Sequence, residues 1–408
     1  MGVEIGIQQQ GDRMMPRKKI AILGGGMAGL AAAYELTRTP ELAAQHDVTI
    51  YSMGWRLGGK CASARDALGR NVEHGLHVWF GCYANTFGMM KEVYDQSSPM
   101  PGARLKSIAD VAKPQDFTPI GVRTATGWEY FPIDWPANEG DPWDVNLMPT
   151  LMELIEVVAG WIWRFLGGDP KLSAGASAPL PAASAARFLA AVERAHGAGS
   201  DKADRASELA GAAQPGPLHV LEAIHLWADA LARGALEDVQ RDAEHFLGFW
   251  EVLHDAAAPD LEARGKEDLR ARMMHEALVI GFSAIKGMFR DLILENAPFV
   301  SLDDEDFRAW LIRHGADPKI VAESSFIRIV YDTLYQFHDG DVARPSYAAG
   351  TCIGVIGRLT ATFKGHMMYE LQTGFGEAVV SPLYAAMRSR GVNVSFFSKV
   401  TALELDAA

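Results

Sequence analysis

Six consecutive residues, Gly24-Gly25-Gly26-Met27-Ala28-Gly29, constrain the fold more than any other feature of the chain. They follow a short apolar run rich in Ile and Leu, Lys19 to Leu23, and lead into an Ala-rich segment, Leu30 to Thr37, that reads as a helix. Strand, tight turn, helix is the predicted order. Gly24, Gly26 and Gly29 match G-x-G-x-x-G, in which one glycine makes the turn, one lets a pyrophosphate approach the backbone and one packs helix on strand. Met27 and Ala28 lie in this turn beside the glycines, and the N-terminus of the helix it opens offers unpaired N–H groups to an anion. Val48 to Tyr51 is a second β-type run, placed where a βαβ unit needs one. The spacing therefore predicts a dinucleotide site on an α/β, Rossmann-type domain.

At the end of the second strand such folds place Asp or Glu on the ribose hydroxyls. Here that position is Ser52, counted back from Gly58-Gly59, so the contact is reduced to one hydroxyl. Arg56-Leu57-Gly58-Gly59-Lys60 follows, and it predicts a second clamp that meets the diphosphate from the far side with backbone N–H groups and charge. Gly54 to Lys60 also parses as G-x-x-x-x-G-K. That phosphate-loop reading fails, because Cys61 stands where Ser or Thr would bind Mg²⁺ and the segment follows the second strand.

The 408 residues allow two or three domains, and 49% apolar with 22% charged content is ordinary globular material. A net charge of -13 argues against nucleic acid as a partner. Three cysteines, Cys61, Cys82 and Cys352, are too few for a disulfide framework and fit a reducing, cytoplasmic setting. Cys61 and Cys82 read as small buried hydrophobes. The 12 histidines show no ligand spacing, so no metal is expected. Nothing near the N-terminus reads as a secretion or myristoylation signal, and no uncharged apolar run is long enough to suggest a spanning helix.

Residues 1–17 read as a flexible N-terminus, 18–109 as the dinucleotide domain, 110–366 as a mostly helical substrate or insertion domain, and 367–408 as a helix and strands returning to the first domain. Within the middle region, Val220, Ile224, Trp227 and Leu231, and Phe246, Phe249, Trp250 and Leu253, form helical core faces. Residues 173–186 and 197–217 are Ala-, Pro- and Ser-rich surface segments. Leu151 to Leu166, with Trp161, Ile162, Trp163 and Phe165 at one end, reads either as a buried helix or as a peripheral membrane contact. Near the end, Glu377 to Arg390 is a helix closed by Gly391, and Asn393 to Phe397 and Val400 to Leu405 are β-type runs.

The pairing of Gly24–Gly29 with Arg56–Lys60 resembles the FAD-dependent amine oxidase and phytoene desaturase superfamily. Glu73-His74-Gly75-Leu76-His77-Val78-Trp79-Phe80-Gly81-Cys82-Tyr83-Ala84-Asn85 looks like the corresponding segment of plant-type phytoene and zeta-carotene desaturases. The resemblance runs over residues 18 to 95 and returns over 367 to 408. It implies FAD as cofactor, with Gly75, Leu76 and His77 near the isoalloxazine and the backbone of Val400 meeting the adenine. His77, then His74 and Glu73, are the residues it puts nearest the chemistry. It also implies a C-terminal flavin-closing segment beyond Ala408, and hence a longer enzyme or a second polypeptide that completes the flavin domain. The function so implied is hydride removal from a hydrophobic, isoprenoid-like substrate. A flavin amine or amino-acid oxidase and a non-catalytic carrier like the Rab GDP dissociation inhibitors are the alternatives.

Overall fold

A computed structural model describes residues 17–96, 104–167 and 236–405, apart from positions 76, 125, 136 and 146. The chain divides into two units, one made of residues 1–115, 139–145 and 364–408, the other of 116–138 and 146–363. The first unit opens with β1 (Lys18–Leu23), α1 (Met27–Leu36), α2 (Pro40–Gln45) and β2 (His46–Tyr51). A Cβ on Gly29 would lie 2.4 Å from the Gly24 carbonyl oxygen, so only glycine lets α1 sit this close to the end of β1. α2 starts where Pro40 fixes its first turn and the Thr39 hydroxyl accepts from the Leu42 N–H at 3.3 Å. Then come a short hairpin, β3 (Ala64–Arg65) with β4 (Asn71–Val72), and β5 (Val78–Phe80), α3 (Ala84–Gln96), α4 (Ile108–Val111) and β6 (Ala112–Gln115). Ser107 and Asp110 form a capping box that begins α4.

The second unit begins with an antiparallel hairpin, β7 (Phe117–Thr124) and β8 (Gly127–Asp134), whose Ile120, Val122, Phe131 and Ile133 face inward with Met273. By sequence this stretch falls in the mostly helical region expected over residues 110–366. Pro119, Gly121 and Pro132 interrupt the strands and hide their alternation. Helices follow: α5 (Leu151–Gly167), α6 (Leu236–Arg264), α7 (Leu269–Gly287), α8 (Phe307–Arg313), α9 (Pro318–Glu323), α10 (Ser325–Thr333) and α11 (Ala349–Ala361). Ile155, Trp250, Leu253, Leu278, Trp310 and Tyr331 are fully buried in one core. A π turn, Met288–Ile293, carries Asp291, whose Oδ2 accepts from Trp310 Nε1 at 2.9 Å, Arg313 Nη2 at 2.8 Å and His314 Nε2 at 2.7 Å. Trp250 and Leu253 of the expected helical face lie on α6; the side chains of Phe246 and Phe249, the Val220–Leu231 face, residues 1–16, and the segments 173–186 and 197–217 lie outside the described residues. In α5, Met152, Leu154, Ile155 and Ala159 are buried and the Trp161 ring lies 4.7 Å from that of Trp135. No helix among the described residues is long and apolar enough to cross a membrane.

The chain re-enters the first unit with β9 (Met368–Leu371), a π turn at Gly376–Val380, α12 (Ser381–Ser389) and β10 (Asn393–Ser395). Gly391, at φ +85°, ends α12 as its position after the helical pattern predicts. β1, β2 and β10 form a parallel sheet with β2 in the middle, Ile20 opposite Val48 and Asn393 opposite Thr49. Among the described residues β1 pairs only with β2, and its Ala21 and Leu23 are exposed. A second, antiparallel sheet places β9 between β5 and β6, so Tyr369 faces both Trp79 and Pro114. Leu30, Tyr34, Ile50, Phe87, Met90 and Leu383 form the core of this unit. The predicted strand over Val400 to Leu405 is not formed. The segment is irregular and exposed, Leu405 at 99%, because no described strand lies beside it to complete a hydrogen-bond ladder.

Candidate functional site

Each glycine of the first turn does something different. Gly24 has φ +109°, a left-handed conformation that directs its N–H onto the Tyr51 carbonyl at 2.8 Å and fastens the turn to the end of β2. Gly25 is buried, and a Cβ there would stand 2.5 Å from Leu57 and 3.3 Å from Ser52 Oγ. Gly26 differs from both, since a Cβ on it would meet no atom within 4 Å. It is the N-cap of α1, with no side-chain cap and no acidic residue in the first turn. The partial positive charge of the helix end therefore faces open space, with Met27 half-buried and Ala28 exposed beside it.

The second turn is bonded directly to the first. Gly58, at φ +106°, donates its N–H to the Gly25 carbonyl at 2.7 Å, and Gly26 and Gly58 form a parallel bridge. A Cβ on Gly59 would approach Gly26 Cα to 3.1 Å. The sequence reading set the two turns on opposite sides of a diphosphate. At the Gly25–Gly58 contact the two turns meet each other directly, joined by the 2.7 Å hydrogen bond into one rim. The signal for this contact was present in Gly25 and Leu57, which pack on each other, but neither matches a motif position.

Around the rim the expected residues are distributed unevenly. Ser52 is 5% exposed behind Gly25; its N–H donates to the Ser395 carbonyl and its carbonyl accepts from the Ser398 N–H, both at 2.9 Å. Val400, 46% exposed, lies two residues beyond Ser398 on the segment that passes the end of β2. Arg56 Nη1 donates to the Ser63 carbonyl at 2.9 Å, and its guanidinium lies 5.2 Å from the Trp55 ring centroid. The same arginine lines a cavity of about 380 Å³ with Leu57, Arg65, Tyr384 and Phe396. Lys60 is exposed in the short helical turn Gly59–Cys61. Cys82 is buried, whereas Cys61 is only partly so, with its thiol pushed up by burial and then by Glu73.

Glu73, second to the histidines by sequence, is the centre of the most connected polar group here. Its Oε1 accepts from the Ser63 hydroxyl and from the Phe375 N–H at 2.6 Å, while Oε2 takes His77 Nδ1 at 2.8 Å. Ser63 Oγ in turn accepts from the Gly376 N–H at 2.6 Å. Burial raises the Glu73 carboxyl, but the hydrogen bonds from Ser63, His77 and Phe375 together outweigh it and hold the group below its ordinary value. The His77 ring also packs on Phe375 with centroids 4.8 Å apart. His74 and Gly75 are exposed; Leu76 lies outside the described residues. Among the described residues no three His, Cys, Asp or Glu side chains group as a metal site.

Residues 22–93 match the family of NAD(P)-binding Rossmann-like domains. The N-terminal part of the chain is homologous to carotene desaturases. It is similar to zeta-carotene desaturase of Arabidopsis thaliana, 46% identical over 78 residues, which are 19% of this chain and 13% of that protein. Zeta-carotene desaturase of Synechocystis is 44% identical over 75 residues, 18% of this chain and 14% of the relative. The 15-cis-phytoene desaturase of Arabidopsis thaliana is 29% identical over 162 residues, 38% of this chain and 26% of the relative. The chain thus matches between about an eighth and a quarter of the length of these relatives.

Proposed function

We propose that the chain binds FAD on the rim formed by its two glycine turns and serves in a flavin-dependent oxidoreductase that removes hydride from a hydrophobic, isoprenoid-like substrate. The observation that carries this reading is the open space at Gly26 in front of an uncapped helix N-terminus. The donor set fits a dinucleotide. Gly26, Met27, Ala28 and Gly29 would meet the diphosphate with backbone N–H groups, Gly24 would shape the turn that presents them, Gly58, Gly59 and Arg56 would flank it, and Lys60 would add charge at the surface. Ser52 and Val400 would stand toward the adenosine end. When bound, FAD would supply the acceptor for a hydride leaving a C–H bond.

Within the chain, Glu73 holds the imidazole of His77 by Nδ1, which fixes the ring plane and leaves Nε2 to a substrate or to water. Gly75, Leu76, His77 and, at its exposed edge, His74 would border the reacting end of the cofactor. The likeness to zeta-carotene and phytoene desaturases favours a polyene-type substrate over an amine. Among the described residues the outer edge of β1 pairs with no strand, which supports pairing with a further strand, supplied by the rest of a longer protein or by a second polypeptide. We place the assembly in the cytoplasm.

Gly26→Val is the direct test. The variant should keep the parental circular dichroism, since a Cβ there meets no atom within 4 Å, yet lose at least ~tenfold in flavin retention by obstructing pyrophosphate approach. Flavin visible absorbance of the purified protein reads it; full flavin content in the variant refutes the placement. A protein that carries no flavin at all, even with any partner restored, turns the reading to the non-catalytic carrier. Gel filtration checks the open edge: alone, the chain should associate or aggregate, and a clean flavin-loaded monomer would remove the case for a completing strand.

A further inference from the structure

Backbone donors give the hydrogen bonds of the Glu73 group a fixed direction. The Gly376 N–H can only donate, and at 2.6 Å it reaches Ser63 Oγ. The Ser63 hydroxyl hydrogen is thereby left for Glu73 Oε1, which also accepts from the Phe375 N–H at 2.6 Å. Glycine permits this approach, since a Cβ on Gly376 would lie 2.9 Å from Ser63 Oγ and one on Gly374 2.9 Å from Glu73 Oε1. The Ser63 carbonyl accepts from Arg56 Nη1 at 2.9 Å, so the main chain of Ser63 is held as well.

Two donors thus occupy Oε1, and the carboxyl is held below its ordinary value, so Glu73 is an anion at neutral pH. Its Oε2, 2.8 Å from His77 Nδ1, can then only accept. Neutral His77 therefore carries its proton on Nδ1 and keeps a lone pair on Nε2. Nε2 has no hydrogen-bond partner among the described residues, and the side chain is 19% exposed, so the lone pair is open to a molecule from outside.

The geometry points to Ser63 as a positioning residue, one that turns Glu73 so that Nε2 of His77 is a proton acceptor. The use of that acceptor rests on the flavin reading above. One C–H bond of the substrate loses its hydrogen with the electron pair, as hydride, to the oxidised flavin. The neighbouring C–H bond then breaks the other way: its electron pair becomes the second bond of the alkene and its proton goes to Nε2. Ionised Glu73 stabilises the imidazolium so formed.

Nitrogen-15 NMR of the full chain without flavin reads the tautomer. On the alkaline plateau of the His77 titration, Nδ1 should show a pyrrole-type shift and Nε2 a pyridine-type one. Glu73→Gln should reverse the pair. Ser63 and the Phe375 N–H both donate, so they draw the amide oxygen to their side, and the amide NH₂ then faces Nδ1 and moves the proton to Nε2. Adding Ser63→Ala to Glu73→Gln should cut the reversed preference by about fivefold, the worth of the one hydrogen bond that told oxygen from nitrogen. A parental His77 protonated on Nε2, a Glu73→Gln variant with the parental tautomer, or a double variant identical to Glu73→Gln would each overturn the proposal. If the double variant does not fold, the first two spectra decide. Anaerobic reduction of the flavin-loaded protein by zeta-carotene, with any partner restored, checks the proton step. Glu73→Gln should slow it at least ~100-fold at unchanged flavin content, and an unchanged rate would remove Nε2 from the chemistry. A parental protein that zeta-carotene does not reduce would instead sink the desaturase reading, and the spectra would still decide the role of Ser63.

Discussion

Gly29→Val is expected to cost the first unit about 3 kcal/mol, the upper part of the range for overpacking. The reason is backbone, not side chain: the new Cβ would stand 2.4 Å from the Gly24 carbonyl and 3.1 Å from Ile22 Cγ2, and neither α1 nor the end of β1 can yield alone. The turn between them is tied to β2 through the Gly24 N–H and to the second turn through the Gly25 carbonyl, so a shift of α1 disturbs all four segments. Urea unfolding should show a lower midpoint, with flavin retention lost in parallel. Gly26→Val separates the two effects, since it should lose the flavin while lowering the midpoint far less, by no more than the poorer N-cap that valine makes. If Gly29→Val unfolds at the parental midpoint, the close packing of α1 on β1 is wrong.

Glu73→Ala should be nearly as severe, about 3 kcal/mol at neutral pH, because it removes a charged acceptor and leaves the Phe375 N–H and His77 Nδ1 without it. This loss should depend on pH in a defined sense. The folded-state pKa of Glu73 lies below its ordinary value of 4.5, so the carboxylate's contribution is complete above that value and disappears as pH falls through the lower, folded one. Parental and Glu73→Ala unfolding midpoints should therefore lie far apart at neutral pH and converge in acid. A difference that stays constant into acid would show that the ionised carboxylate is not what holds the group together.

The parts of this fold that could be read from sequence are local. Lys19–Leu23, the glycine turn, the helix after it and Val48–Tyr51 lie within about thirty residues, and each is specified by its own composition and spacing. The α12 helix and its closing Gly391 are legible for the same reason. What could not be read depends on distant partners. Val78–Phe80 is three residues long and becomes a strand only because Met368–Leu371 lies beside it. Glu73 looked secondary to its histidine neighbours, yet it is the residue that fastens this segment to Phe375, 302 positions along the chain. Val400–Leu405 shows the converse, since a β-type composition with no described strand beside it is left irregular and exposed. At the glycine turns the residue types were legible, but their direct contact was not, because Gly25 and Leu57 carry no pattern that names them as partners.

The hydrogen bond from Gly58 to Gly25 bears on kinetics. Two loops that would otherwise fluctuate independently are coupled before any nucleotide arrives, so their configurational entropy is surrendered during folding instead of at capture. Uptake should then proceed in one concentration-dependent phase with no slow isomerisation after it, and lesions that uncouple the loops should appear chiefly as faster release.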